Sequence, residues 1–169
     1  MRTNHPQGRF SIEYEIDSFT RGIASDLRRP VGTDVQWWVY DSATSQTDAI
    51  YDVGSTTTGR VWKSPLTVPV LNAQVFQGVT VPNDRGFYNV DVLRVSAIMS
   101  EILDLIPDVV SAADNHIKDR VVYREGVYRP TRLYMRGQVI STYTILTLDL
   151  TQVAPEEMVN DDQFLSYSV

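Results

Sequence analysis

The side chains able to do chemistry in this sequence are few and scattered. There is no cysteine, which removes thiolate nucleophiles, thiolate metal sites and disulfides together. The histidines are His5 and His116, and neither stands at metal-ligand spacing from a second donor. A serine relay would need a nucleophile elbow, and no GxSxG is present; HExxH and GxGxxG are missing as well. Two patterns imitate a site. Gly54-Ser55-Thr56-Thr57-Thr58-Gly59 has the glycine spacing of a phosphate-binding loop, but Arg60-Val61 follows where Lys and Ser or Thr are required. Asp41, Asp48 and Asp52 could gather round a hard cation, yet their irregular spacing among Ser, Thr and Gly is that of turn-forming aspartates. His116 reads as a polar loop residue. No catalytic, cofactor-binding or metal-binding residue is assigned, and the expectation is a non-enzymatic protein without a cofactor.

Charge is the next guide. The chain has 169 residues, 43% of them hydrophobic and 21% charged, which suits one well-buried core. Its net charge of −6 does not predict general affinity for nucleic acid. The distribution is uneven: Lys118, Arg120, Arg124, Arg129, Arg132 and Arg136 crowd one region, against Asp119 and Glu125. Such arginines either discourage edge aggregation or pair with acidic or phosphate surfaces. No apolar run resembles a signal peptide, and no window approaches the roughly 18 apolar residues of a membrane span. The expected setting is a cytoplasm, or an assembly packaged from one, without a membrane.

The elements that must position these groups are mostly strands. Residues 11–29 are the exception, with Ile12, Ile16, Phe19, Ile23 and Leu27 on one face of a helical period, Ser11 as cap, and Pro30 and Gly32 as stop. After an N-terminal arm (1–10) and this amphipathic helix, a β domain is expected over 34–153, with a long loop at 41–59 and an acidic C-terminal arm at 154–169. In the strand at 34–40, Trp37 and Trp38 must point to opposite faces. At least one then faces away from the main core, as an interface anchor would. Further strands fall at 60–63, 66–76 and 87–99, the last two with a parity flip of the apolar residues, at Val70/Leu71 and Val92/Leu93. A flip requires a bulge, a corner or a passage between sheets. Pro82 to Gly86 makes a turn, 100–106 is open between helix and strand, and 108–116 is a loop. Residues 119–153 form the most strand-like stretch, a meander turning at Arg124-Glu125-Gly126 and near Gly137. Pro69 and Pro130 belong on edges or rims. The fold class is mainly β: a small, bent β-barrel or sandwich. The arm carries Glu156, Glu157, Asp161 and Asp162 with Phe164 and Tyr167, so it is either a free tail or a segment that docks on a neighbour.

The order of several features resembles a known family. They are Trp37 to Tyr40; Ala49-Ile50-Tyr51-Asp52; Gly59-Arg60-Val61-Trp62; Pro65 to Leu71; Asp119 to Tyr123; Gly126-Val127-Tyr128; and Pro155 to Asp161. Together they look like the head-to-tail connector or stopper proteins of tailed double-stranded DNA phages with siphovirus-like tails, and they touch about two thirds of the chain. The resemblance implies a small β-barrel that forms a homo-oligomeric ring in the virion neck, assembled in the host cytoplasm. Its partners would be the portal or adaptor above, the tail terminator or tail tube below, and DNA passing through without sequence-specific binding. An acidic subunit suits a passage that must not grip the duplex, since each phosphate contact strengthens binding. On this reading the 41–59 loop, with Asp48, Ile50, Tyr51 and Asp52, reaches the lumen or the adjoining ring, and Arg129, Arg132 and Arg136 contact neighbours. The arm and helix at 1–29 are longer than a minimal stopper carries, which leaves portal adaptor and tail terminator open. A small metal-dependent enzyme using the loop aspartates, and a monomeric ligand-binding barrel, are the alternatives of other classes.

Overall fold

Among the described residues, runs of Val, Ile, Thr and aromatic residues form seven strands in one antiparallel sheet of order β2-β1-β5-β6-β7-β4-β3. They are β1 (Thr33–Trp38), β2 (Leu66–Val70), β3 (Asn72–Asn83), β4 (Gly86–Ile98), β5 (Arg120–Tyr123), β6 (Gly126–Val139) and β7 (Thr142–Gln152). The structure, a computed structural model, describes residues 33–45, 59–83, 86–139, 142–158 and 161–167, together with Tyr14 and Ser18. The helix expected at 11–29 and most of the 41–59 loop lie outside the described residues.

The two ends of the sheet are two parts of one bent strand. β2 pairs with β1 from Leu66 to Val70, and β3 pairs with β4 from Asn72 onward. Leu71 is the corner between them, its N–H donating to Ser96 O at 2.8 Å. The parity flip at Val70/Leu71 is therefore a change of pairing partner. It curls the sheet towards a barrel while the sheet stays open.

The second flip has a different cause. β4 pairs with β7 without a break from Val92 to Ile98, so no bulge reverses its faces. The irregularity is on β3, where Gln77 and Gly78 together stand opposite Asp91. Gly78 has φ +65°, and its N–H donates to Asp91 Oδ1 at 3.0 Å. The apolar residues of β4 change face because Leu93, Val95 and Ala97 look into the core, whereas the strand before Val92 has lost its β7 neighbour.

The concave face holds the main core. Val35 and Trp37, Val68 and Val70, Leu93 and Val95, Val121, and Leu146, Leu148 and Leu150 all point inward at strand alternation. One end is closed by α1 (Met99–Leu105), the segment undecided from sequence. Met99, Ile102, Leu103 and Ile106 fall at helical spacing and pack into the same cluster. Each fully buried aliphatic side chain there contributes about 1.5–3 kcal/mol.

Three expectations shift in detail. Residues 60–63 make only the single bridge Trp62↔Tyr40 rather than a strand. The β6–β7 turn lies beyond Gly137, since the pairing continues to Val139↔Thr142. Pro130 is on a central strand and not on an edge. It is tolerated because the β5 partners end at Tyr128 and because it adjoins a bulge at Thr131.

Candidate functional site

The outer face of the sheet divides into a polar half and an apolar half. On the polar half, cross-strand register places Gln74, Arg94, Asp149 and Arg132 in one row. The bulge at Thr131 keeps Arg129 and Arg132 on the same face although they are three residues apart, and Arg136 follows at alternation. The structure thus brings the three predicted arginines onto one face and gives them different partners. Arg129 reaches Glu157 at 3.4 Å, and Arg132 faces the Asp149 row. Arg136 lies over the Tyr134 ring at 5.8 Å.

Asp149 receives Arg94 as a fork, Nε to Oδ1 at 2.6 Å and Nη2 to Oδ2 at 3.0 Å. That fork holds the carboxyl below its ordinary 3.8, against the opposing effect of burial. The stabilisation from this pair is present above about pH 3.8 and is lost as pH falls through the lowered native value. Arg94→Gln should cost about 1 kcal/mol or less, because the Arg94 side chain is 42% exposed and solvent screens the pair. Urea unfolding at pH 7 and again near pH 3 checks this: the deficit of the variant should shrink in acid. Beside the row a recess of 480 Å³ is lined by Phe76, Val79 and Arg94 among others, with Phe76 36% and Val79 37% exposed.

The apolar half is covered by the C-terminal arm. Trp62, Val122, Val127, Val153, Met158 and Phe164 form a second buried cluster, flanked by Trp38, Tyr40 and Tyr167. α2 (Pro155–Met158) and a 3-10 turn over Asp162–Tyr167 carry the arm across it. Gln163 locks on by exchanging two hydrogen bonds with the Trp62 backbone, at 2.8 and 3.0 Å. The described part of the arm therefore packs on its own sheet rather than trailing as a free tail.

Two anchors assigned from sequence, Trp37 and Phe164, are corrected by this packing, since both are buried within the chain itself. Trp37 and Trp38 do face opposite ways: Trp37 lies buried in the main core, and Trp38 is half-buried, edge-on to Phe164 at 5.2 Å. Phe164 is fully buried and Tyr167 half-buried, so neither is a free surface aromatic. Asp48, Ile50, Tyr51 and Asp52 lie outside the described residues.

Two polar clusters were not foreseen. Asp119 is fully buried. Its Oδ1 accepts the Tyr40 N–H and its Oδ2 accepts Trp37 Nε1–H, each at 2.7 Å, while His116 Nδ1 also lies 2.7 Å from Oδ2. His116 Nε2 stands 3.2 Å from Asp108 Oδ1 without hydrogen-bond alignment. The Asp119 hydrogen bond raises the His116 pKa above its ordinary 6.5, partly offset by burial. His116 is thus a buried anchor rather than an ordinary loop residue. Strand alternation carried the signal, because Asp119 shares a face with Val121 and Tyr123.

The second cluster gathers under the arm. Arg60 donates through Nε to Asp161 Oδ1 at 3.0 Å and through Nη2 to Glu157 O at 3.0 Å. Arg120 lies over the Trp62 ring at 5.2 Å and reaches Glu157 Oε1 at 3.2 Å. Burial lowers the Arg120 pKa and raises that of Asp161. Nothing in the spacing of these residues, a hundred positions apart in the case of Arg60 and Asp161, signals the cluster from sequence.

Among the described residues, no group of three or more His, Cys, Asp or Glu could hold a metal ion. No described helix is long and apolar enough to cross a membrane. The chain matches no protein-family model, and comparison with curated proteins finds no match.

Proposed function

We propose that this chain is a structural subunit of the neck of a tailed double-stranded DNA phage with a siphovirus-like tail. It forms a ring between the portal or adaptor and the tail, completes the head, helps retain DNA and offers the docking platform for the tail. The observation that carries the reading is the β3–β4 ribbon. Pairing between β4 and β7 stops at Val92, while β3 and β4 stay paired out to Asn83↔Gly86. A two-stranded ribbon is at best marginally stable alone in water. This one leaves Phe76 and Val79 exposed at its base, beside Arg94. A neighbouring subunit packed on that base would bury this apolar surface, as a contact between ring subunits does. The motif order from Trp37 to Asp161 and the net charge of −6, suited to a channel through which DNA slides, support the same reading.

Native mass measurement and negative-stain microscopy of the purified chain, alone and with a portal or tail partner, test it. A closed ring is expected. The double substitution Phe76→Asp with Val79→Asp should reduce it to monomers while leaving the circular dichroism spectrum unchanged. A wild-type chain that stays monomeric at all concentrations and with every neck partner would sink the proposal in favour of a monomeric binding barrel.

A further inference from the structure

We propose that the recess between β5, β6 and the C-terminal arm is an oxyanion site whose ligand is a phosphate group. Its volume is 340 Å³, and the charged side chains lining it are Arg60, Lys118, Arg120, Arg129 and Glu157. Three guanidiniums thus share one carboxylate, and Asp161 behind Arg60 adds a second acid whose own charge is disfavoured by burial. Glu157 cannot satisfy the group. Its carboxylate stands 3.2 Å from Arg120, 3.4 Å from Arg129 and 3.9 Å from Arg60, contacts that lengthen as one planar anion is shared among three guanidiniums.

Arg120 shows what is missing. It is only 3% exposed, its Nη1 contacts are both long at 3.3 Å, and its Nε has no hydrogen-bond partner among the described residues. A buried guanidinium with an unmet N–H carries a desolvation cost that an incoming oxyanion would offset. Divergent donors from β5, β6 and the loop before β2 suit a tetrahedral group with three or more oxygens better than a planar carboxylate. The Arg120 charge is disfavoured by desolvation first, and by Arg60 and Arg129, against the attraction of Glu157 and Asp161; an anion placed among the guanidiniums adds to that attraction. The phosphate can come from a phosphodiester backbone or from a free phosphate, and the chemistry of the recess is common to the two.

Titration calorimetry and ³¹P NMR at low ionic strength, with inorganic phosphate and separately with a short DNA duplex, test the site on the full chain. Inorganic phosphate should bind with a dissociation constant of about 1 mM or tighter. Arg129→Gln, at the rim, should weaken binding roughly fivefold to tenfold. Glu157→Gln should tighten it by a similar factor, since the internal competitor is gone; a cluster that merely staples the arm would show no such gain. Lys118→Gln should weaken binding too, and carries the test if the Arg129 variant fails to fold. A duplex that competes with free phosphate, with the same response to these variants, identifies the backbone as the source. A duplex that does not compete identifies free phosphate. No binding up to about 20 mM phosphate in both wild type and Glu157→Gln would overturn the proposal. So would binding indifferent to all three substitutions, or acetate binding as tightly as phosphate.

Discussion

Asp119→Ala is expected to destabilise the chain by about 3–5 kcal/mol, the cost of breaking a buried charged network by removing one partner. The carboxylate is fully buried and serves three groups from two separate stretches: the Trp37 indole, the Tyr40 backbone and the His116 ring. Without it, the Trp37 indole N–H and the Tyr40 N–H lose their acceptor. Asp119→Asn should cost less but still over about 1 kcal/mol, because an amide must turn its NH₂ towards one of those donors. Equilibrium urea unfolding at pH 6 measures both.

The same variants have a pH signature. His116 is raised above its ordinary 6.5 in the folded chain. Its contribution is therefore fully present below about pH 6.5 and is lost as pH rises through the raised native value. Wild-type stability should decline across that window, and in Asp119→Ala this part of the slope should be absent. A wild-type profile as flat as that of the variant would mean that His116 does not feel Asp119 in solution.

How far the sequence reveals this molecule depends on the range of each interaction. Parity was informative because it is local: the flip at Val70/Leu71 marks a corner that any sheet would have to make. The flip at Val92/Leu93 looks identical in sequence, yet its cause is the end of pairing with β7, sixty residues downstream. Adjacent tryptophans could be assigned to opposite faces, but not to a lid. Whether Trp38 is exposed depends on Phe164, whose docking is fixed by Trp62, Met158 and Val153 together. The arginines of β6 were legible as a cluster, and only the bulge at Thr131 determines that Arg129 and Arg132 share a face. Arg60 gave no signal at all, because its partners Glu157 and Asp161 meet it only after the arm has folded back.

That fold-back makes Phe164→Ala the second large expected effect, about 3–5 kcal/mol. Phe164 is fully buried and stands edge-on between two indoles, 5.2 Å from Trp38 and 5.0 Å from Trp62. Truncation removes the aromatic contacts and leaves a cavity beneath the arm, whose remaining ties include the Gln163–Trp62 pair, the Arg60–Asp161 bridge and the arginine contacts to Glu157. The tryptophans report the outcome separately. Trp38 and Trp62 should become hydrated and shift their emission to the red, whereas Trp37, in the other cluster, should not. Urea unfolding together with fluorescence of single-tryptophan variants reads both. A loss below about 1 kcal/mol with unshifted emission would show that the arm does not rest on its own sheet in solution. The apolar half of the outer face would then be open to a neighbour, and the oxyanion recess, which the arm walls on one side, would not exist in the isolated chain. Phe164 thus decides between a subunit that brings its own lid and one that exchanges lids around a ring.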